Sequence, residues 1–151
     1  MSPVVTKILQ PGDEPALEAF LLPRVTSSMF LLGNMRTAGL RDTDRPYSGT
    51  YAARLEEGRI VGVVAHYWNG MLIVQAPGCA HPLWQAAVRS SGRRIAGLIG
   101  PNDQVTAVKD ALAIEEADTQ MDETEILYAL DLDALVVPAA LREGRVTGRR
   151  I

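Results

Sequence analysis

Residues 49–80 read GTYAARLEEGRIVGVVAHYWNGMLIVQAPGCA. Three short apolar runs alternate here with two glycine-containing turns, one at Glu56-Glu57-Gly58 and one at Asn69-Gly70. Asn-Gly supplies the positive φ angles that a type I′ hairpin needs, so the stretch predicts three antiparallel strands. A glycine-containing loop then leads into a helix. Such a loop presents free backbone N–H groups, and we therefore consider it a candidate phosphate site.

One strand and two helices are predicted before this stretch. The strand is expected at Val4–Leu9. Asp13 is expected to cap the first helix, which Pro23 ends. Ser27 or Ser28 is expected to cap the second helix, and a polar loop then leads to the three strands.

The remaining elements are predicted after the loop. Pro82 suits the first turn of a third helix, which Gly92 closes. A buried strand at Ile95–Ile99, a fourth helix at Asn102–Leu112 and a last strand at Ile126–Leu130 follow. The order is β-α-α-β-β-β-α-β-α-β. It predicts an α+β fold, a mixed α/β layer in which helices flank a mostly antiparallel central sheet.

Composition excludes several classes of protein. The chain has 151 residues, which fits one domain, and a net charge of −3 with no long basic run, which argues against nucleic-acid binding. One cysteine and two histidines make neither an internal disulfide nor a common structural zinc site, so no metal is expected. No apolar run reaches the roughly 18 residues of a membrane helix, and the N-terminus lacks a secretory pattern. We expect a cytoplasmic protein with no membrane partner.

The element order resembles the fold of the GNAT acyltransferases. In that family a Gln/Arg-x-x-Gly-x-Gly/Ala loop follows the fourth strand and cradles the pyrophosphate of coenzyme A. The segment Gln75-Ala76-Pro77-Gly78-Cys79-Ala80 matches this pattern, and Asn102 opens the fourth helix as an asparagine often does there. The resemblance extends to Leu132. It implies acetyl-CoA as cofactor, held by Val74, Gln75, Gly78, Cys79, Ala80 and Asn102, with backbone N–H groups near Val74 polarising the thioester carbonyl.

Three features depart from the family pattern. Gln75 directly follows the apolar run of the strand, so the loop is shortened. Pro82 removes one N–H donor from the start of the helix. Many members carry a tyrosine, as general acid, seven positions after the helix-opening asparagine, and here that position is Lys109. A lysine with its ordinary pKa of about 10.4 is poorly suited to that role.

Other polar residues have both a functional and a structural interpretation. His66 could be a general base or a hydrogen-bonded histidine of the sheet, and His81 could meet an anion or lie in a surface loop. Cys79 could be a reactive thiol at a helix N-terminus or a small packed hydrophobe. Gln104 could bind a ligand or be solvated. The junction Gly97–Asn102 could hold an anion or simply begin a helix.

The charged residues are interpreted mainly as solvated surface. Glu56 and Glu57 could supply a base, but they lie at a turn. The carboxylates between Glu115 and Glu125 lack the ligand spacing of a calcium loop. Arginines near the end of the third helix could pair with a nucleotide 3′-phosphate or favour the helix dipole; they are Arg89, Arg93 and Arg94.

We assign residues 1–132 to a GNAT-like domain and residues 133–151 to a linker or the start of a following domain, because Arg145–Ile151 reads as the beginning of a strand. Three functions are compatible with the sequence. The chain could be the poorly catalytic N-terminal half of a tandem acetyltransferase, packed on a second GNAT domain. It could be a complete acetyl-CoA-dependent N-acetyltransferase acting on an amine. It could also be a non-enzymatic binding module, for example a homodimer.

Overall fold

A single five-stranded sheet organises the part of the chain that the computed structural model describes, residues 4–145. Its strands lie in sequence order: β1 (Val5–Ile8), β2 (Gly49–Glu56), β3 (Arg59–Tyr67), β4 (Met71–Gln75) and β5 (Gly97–Ile99). Neighbouring strands are antiparallel except β4 and β5, which are parallel. The mostly antiparallel sheet predicted from the sequence is therefore confirmed. Of the strand predicted to start at Arg145, residues 146–151 lie outside the described residues.

Helices cover both faces of the sheet. They are α1 (Glu14–Leu21), α2 (Val25–Ala38), α3 (Ala80–Ser91), α4 (Asn102–Leu112) and a short α5 (Ala139–Arg142). Side chains alternate along the strands, so Tyr51 and Ile73 face a core beneath α1 and α2. Val64 and Leu72 belong to a second core beneath α3 and α4. The sheet is thus the middle of three layers, and both of its faces are apolar.

The junction between α1 and α2 differs from the prediction. Leu22–Arg24 forms one turn of 3-10 helix that contains Pro23, and α2 begins at Val25. Proline is tolerated in the first turn of a helix, because the N–H that it lacks has no intrahelical partner there. The prediction that Ser27 or Ser28 caps α2 is therefore wrong, and both serines lie inside the helix.

Asp13 does occupy the N-cap position of α1, but its carboxylate makes no capping hydrogen bond to the helix. Instead it accepts hydrogen bonds from the Lys7 ammonium at 2.8 Å and the Gln10 backbone N–H at 2.9 Å. This carboxylate consequently ties the end of β1 to the start of α1. Both hydrogen bonds lower the pKa of Asp13.

The two hairpin turns of the sheet differ in type. Glu57 and Gly58 both have positive φ, +51° and +75°, which is the two-residue type I′ geometry. At the second turn Gly70 has a positive φ of +81° but Asn69 does not. The Gly70 N–H donates to the Tyr67 carbonyl at 2.9 Å, as in a type I turn followed by a left-handed glycine. The predicted type I′ turn at Asn69-Gly70 is wrong because this loop has three residues rather than two.

Two strand predictions near the C-terminus also need correction. The predicted buried strand at 95–99 is the three-residue β5, which lies at the edge of the sheet and leaves Ile99 39% exposed. The predicted last strand, Ile126–Leu130, is not a strand among the described residues. Its side chains are exposed, with Ile126 at 74% and Tyr128 at 84%. Neither segment lies between two other strands of the sheet. The burial expected from their apolar composition was therefore too high.

Candidate functional site

The loop between β4 and α3 is a single tight turn. Gln75 is the last residue of β4, as its place behind the apolar run suggested. The Cys79 N–H donates to the Ala76 carbonyl at 3.1 Å, and Gly78 has a φ of +68°. Pro77 followed by a glycine with positive φ is the pattern of a type II turn. The prediction that Gln75 belongs to the strand is confirmed, and only residues 76–79 separate β4 from α3.

Few backbone N–H groups at the start of α3 are free to bind an anion. An α-helix leaves about four N–H groups without an intrahelical partner at its N-terminus, here those of residues 79–82. The Cys79 N–H is used in the turn, and Pro82 has none. Ala80 and His81 supply the two that remain. An anion at this position would therefore meet about half of the donors that a helix N-terminus usually offers.

The backbone of Ala76, at the end of β4, is also occupied. Its N–H donates to the side-chain carbonyl of Gln104 at 2.6 Å. Gln104 is buried in the first turn of α4, so neither solvation nor a free ligand-binding amide describes it. The hydrogen bond holds the N-terminus of α4 against the end of β4.

Gly100 fills the space beside Val74. The pairing of β4 with β5 ends at Ile73 and Ile99, and the chain turns at Gly100 into α4. A Cβ placed on Gly100 would lie 2.6 Å from the Val74 carbonyl oxygen, so the two backbones are in close contact. Val74 itself is fully buried. The ends of β4 and β5 therefore hold no open slot at Val74.

The side chain of Gln75 points to the face of the sheet that α2 covers, opposite to the side chain of Val74. Its carbonyl oxygen accepts hydrogen bonds from the hydroxyls of Ser27 at 2.7 Å and Ser28 at 3.0 Å. Gln75 thereby fastens the start of α2 to the end of β4. The two serines, predicted as helix caps, instead hold this strand end in place.

The other residues matched to the family motif are placed as follows. Cys79 is buried beside Gly62, and burial raises the pKa of its thiol, which supports the packed interpretation over the reactive one. Asn102 is exposed, and its side-chain oxygen lies 3.5 Å from the Thr124 hydroxyl. Lys109 pairs with Asp122 at the surface. Of these three residues, Cys79 packs in the same apolar core as Val74.

A polar cluster lies at the other end of α3, and its connections were not predicted. Asp42 receives two hydrogen bonds of 2.6 Å from the Arg93 guanidinium and one of 2.7 Å from the Thr50 hydroxyl. Burial alone would raise the pKa of Asp42, but these hydrogen bonds outweigh it and lower the pKa to about 2. The exposed Asp44 also contacts Arg93. The cluster borders a surface cavity of about 420 Å³.

His66 adjoins this cluster from the sheet. It is fully buried, opposite Thr50 in the β2–β3 ladder, and its Nδ1 lies 2.7 Å from the Ser91 hydroxyl. Burial lowers the pKa of His66. A fully buried histidine that is hydrogen-bonded through Nδ1 agrees with the structural interpretation, although its buried Nε2 has no hydrogen-bond partner among the described residues.

The remaining charged candidates lie at the surface. His81 is exposed and contacts Trp84 edge-on, Glu56 pairs with Arg54 at 2.8 Å, and the carboxylates of residues 115–125 are exposed. Among residues 4–145 no group of three histidine, cysteine or acidic side chains is placed to hold a metal ion.

Comparisons with known proteins give the fold. No family model and no curated protein matches the sequence. The aminoglycoside N-acetyltransferase AAC(6')-Iy, solved in complex with CoA, matches with a TM-score of 0.50 and 15% identity over 86% of this chain and 96% of that one. A possible acetyltransferase from Clostridium difficile 630 matches with a TM-score of 0.48 and 14% identity, over 83% and 99% of the two chains. This chain has the fold of the GNAT acetyltransferases.

One helical stretch combines length with an apolar composition. The run Glu14–Ala38, which comprises α1, the 3-10 turn and α2, is long and apolar enough to cross a membrane. One third of its most apolar window is buried here, with Leu17, Leu21 and Leu31 packed on the sheet. Packing in the core explains why these residues are apolar. The cytoplasmic location stays a prediction.

Proposed function

We propose that this chain is the poorly catalytic N-terminal half of a tandem acetyltransferase. In this proposal it packs beside a second GNAT domain, which binds acetyl-CoA and carries out the transfer. The observation that carries the proposal is the occupied end of β4. Gly100 lies against the Val74 carbonyl, and Gln104 takes the N–H of Ala76.

The family resemblance assigns three tasks to this region, and each lacks its group here. The thioester carbonyl needs an accessible backbone at β4, yet Val74 is buried. The pyrophosphate needs several N–H donors, yet only Ala80 and His81 remain free of the turn among the four at the start of α3. The departing thiolate needs a proton donor, yet Lys109 is paired with Asp122.

The two missing donors are expected to weaken binding of the pyrophosphate. A hydrogen bond to a charged group contributes about 1.5–3 kcal/mol, so the absence of two donors removes at least about 3 kcal/mol. Every 1.4 kcal/mol is about tenfold in Kd. The loop is therefore expected to hold a pyrophosphate at least about 100-fold more weakly than a loop with all four N–H groups.

Thermal stability in the presence of acetyl-CoA tests this proposal. We expect no change in Tm when the purified chain is mixed with about 1 mM acetyl-CoA, and no heat of binding by calorimetry. Ligand at 100 times its Kd would add about 2.7 kcal/mol, a shift of several degrees for a domain of this size.

Two further measurements make the result decisive. A catalytically active GNAT enzyme in the same buffer is the positive control and should show the shift. A clear shift for this chain, followed by turnover with acetyl-CoA and a panel of amines, would overturn the proposal. That result would favour the second candidate, a complete N-acetyltransferase in which an amine attacks the thioester carbonyl and displaces the CoA thiolate.

A further inference from the structure

The surface cavity of about 420 Å³ lies at the C-terminal end of α3, whereas the candidate coenzyme site lies at the N-terminal end. α3 has 12 residues, so its two ends are about 18 Å apart. Sites for small molecules usually have volumes of about 300–1,000 Å³, and the cavity falls within this range. Its lining contains none of the residues matched to the coenzyme motif. The cavity is therefore a separate candidate site.

Four charged side chains line the cavity, and two of them are already paired with each other. Arg93 donates two hydrogen bonds of 2.6 Å to Asp42, which also accepts one of 2.7 Å from the Thr50 hydroxyl. Both members of this ion pair are mostly buried. The pair consequently forms a wall of the cavity and offers little to a ligand.

The other two charged side chains, Arg41 and Asp44, remain available to a ligand. Arg41 is exposed, and its guanidinium has no ion-pair partner among residues 4–145. Asp44 contacts Arg93 through Oδ1 only, and its side chain is 84% exposed, so its second carboxylate oxygen can accept a further hydrogen bond. The cavity thus offers one cation and one anion.

The loop that carries Arg41 and Asp44 is held in place by a buried serine. The Ser48 hydroxyl accepts hydrogen bonds from the N–H groups of Thr43 at 3.3 Å and Arg45 at 3.1 Å, and it donates to the Arg45 carbonyl at 2.8 Å. Asp44 lies between these two residues with a φ of +55°, a conformation that aspartate adopts more readily than most residues. Because the loop is already ordered, binding of a ligand costs little conformational entropy there.

Apolar and hydroxyl groups complete the lining. Ser90 and Ser91 contribute hydroxyls, and Ile8 and Pro11 contribute apolar surface. Ile8 and Pro11 are at least partly exposed, so an apolar group that lies against them would be removed from water together with them. The site consequently has room for one apolar group beside its two charges.

We propose that this cavity binds a free α-amino acid with an apolar side chain. The carboxylate of the amino acid pairs with Arg41, and its ammonium group pairs with Asp44. Its side chain lies against Ile8 and Pro11. An α-amino acid carries one charge of each sign, so it satisfies both available groups, whereas a simple anion or a simple amine satisfies only one. The proposal does not depend on whether acetyl-CoA binds at the other end of α3.

NMR titration of the ¹⁵N-labelled chain locates the site. The probes are L-leucine, L-valine, L-methionine and L-phenylalanine, each up to about 10 mM, which detects Kd values in the millimolar range. We expect saturable shifts of the amide signals of residues 8–10, 40–44 and 90–93, and none at residues 75–80. No saturable shift with any of the four, or shifts confined to residues 75–80, would overturn the proposal. Addition of acetyl-CoA is read out at residues 75–80, so the two proposals fail separately.

Two analogues of leucine test the need for both charges. L-leucinamide lacks the carboxylate, and N-acetyl-L-leucine lacks the ammonium group. Each analogue loses hydrogen bonds to a charged partner, so each should bind at least about tenfold more weakly than L-leucine. An analogue that binds as tightly as L-leucine would show that one charge is sufficient, and recognition of an amino acid would then be wrong.

Variants of the loop test the assigned partners. Arg41→Gln and Asp44→Asn should each weaken binding of L-leucine at least about tenfold, with little change in Tm, because both side chains are exposed. Arg45→Gln is the matched control: Arg45 is an exposed arginine of the same loop that does not line the cavity, and the variant should bind L-leucine as the wild type does. Equal losses in all three variants would reflect the charge of the loop in general and would contradict the proposal.

Discussion

Replacing Asp42 with alanine is expected to destabilise the domain by about 3 kcal/mol, because the change leaves the Arg93 guanidinium largely buried without its main counter-charge. Arg93 and Asp42 are 16% and 21% exposed, so water screens the pair only in part. Urea titration followed by circular dichroism would measure the loss. Asp44→Ala is the matched control, since Asp44 also contacts Arg93 but is 84% exposed, and its removal should change stability by less than about 0.5 kcal/mol.

The pH dependence of stability gives an independent check on the same ion pair. The folded-state pKa of Asp42 is about 2, below its unfolded value near 3.8, so its contribution is complete above pH 3.8 and is lost as the pH falls toward 2. His66, whose pKa is lowered by burial, adds a decline that starts already below about pH 6.5. In the Asp42→Ala variant the loss of stability at the lowest pH should be smaller. The loss of stability that protonation of His66 causes at higher pH should remain. Equal acid sensitivity of the variant and the wild type would contradict the assigned role of the pair.

Gly62→Ala is expected to destabilise the domain by about 2 kcal/mol through overpacking between β3 and the loop after β4. A Cβ at this position would lie 2.5 Å from the Cys79 sulfur and 3.2 Å from the Ala76 Cα. Substitution of Cys79 removes the contact with the sulfur, whereas no substitution removes the contact with the Ala76 Cα. Thermal unfolding should therefore show that Cys79→Ala restores part of the stability in the Gly62→Ala background but not all of it.

Gly33→Ala supplies the control for that experiment. Gly33 lies inside α2, and no atom comes within 4 Å of the place that a Cβ would take, so alanine fits and raises helix propensity by up to about 1 kcal/mol.

Additive effects of Gly62→Ala and Cys79→Ala, with no interaction energy in the double-mutant cycle, would refute the steric explanation.

The sequence predicted the fold better than the site, and particular residues show why. Strand periodicity and the turn glycines locate the three strands between residues 49 and 75 to within a residue or two. The same local information fails for Asn69, whose turn type depends on loop length, and for Ser27 and Ser28. These serines are ordinary capping residues by sequence, and their true partner, Gln75, is 47 or more residues away.

The state of the candidate coenzyme site depends on contacts that no local pattern encodes. Gln104 looks like a solvated residue at the start of a helix, and only the docking of α4 brings its carbonyl to the Ala76 N–H. Gly100 looks like a helix-start glycine, and only the β4–β5 register places it on Val74. The literal motif match at residues 75–80 therefore could not reveal that the neighbouring backbone is already occupied.

The short connections of the meander also bear on synthesis of the chain. β2, β3 and β4 are joined by loops of two and three residues, whereas Ile8 of β1 pairs with Ala52, 44 residues further on. Short loops close with little loss of chain entropy, so we expect these three strands to form before β1 joins them. During translation, α1 and α2 are already available to cover one face of the three strands. The other face must wait for α3 and α4, and released chains truncated near residue 80 should accordingly bind a hydrophobic dye more strongly than chains that extend past residue 112.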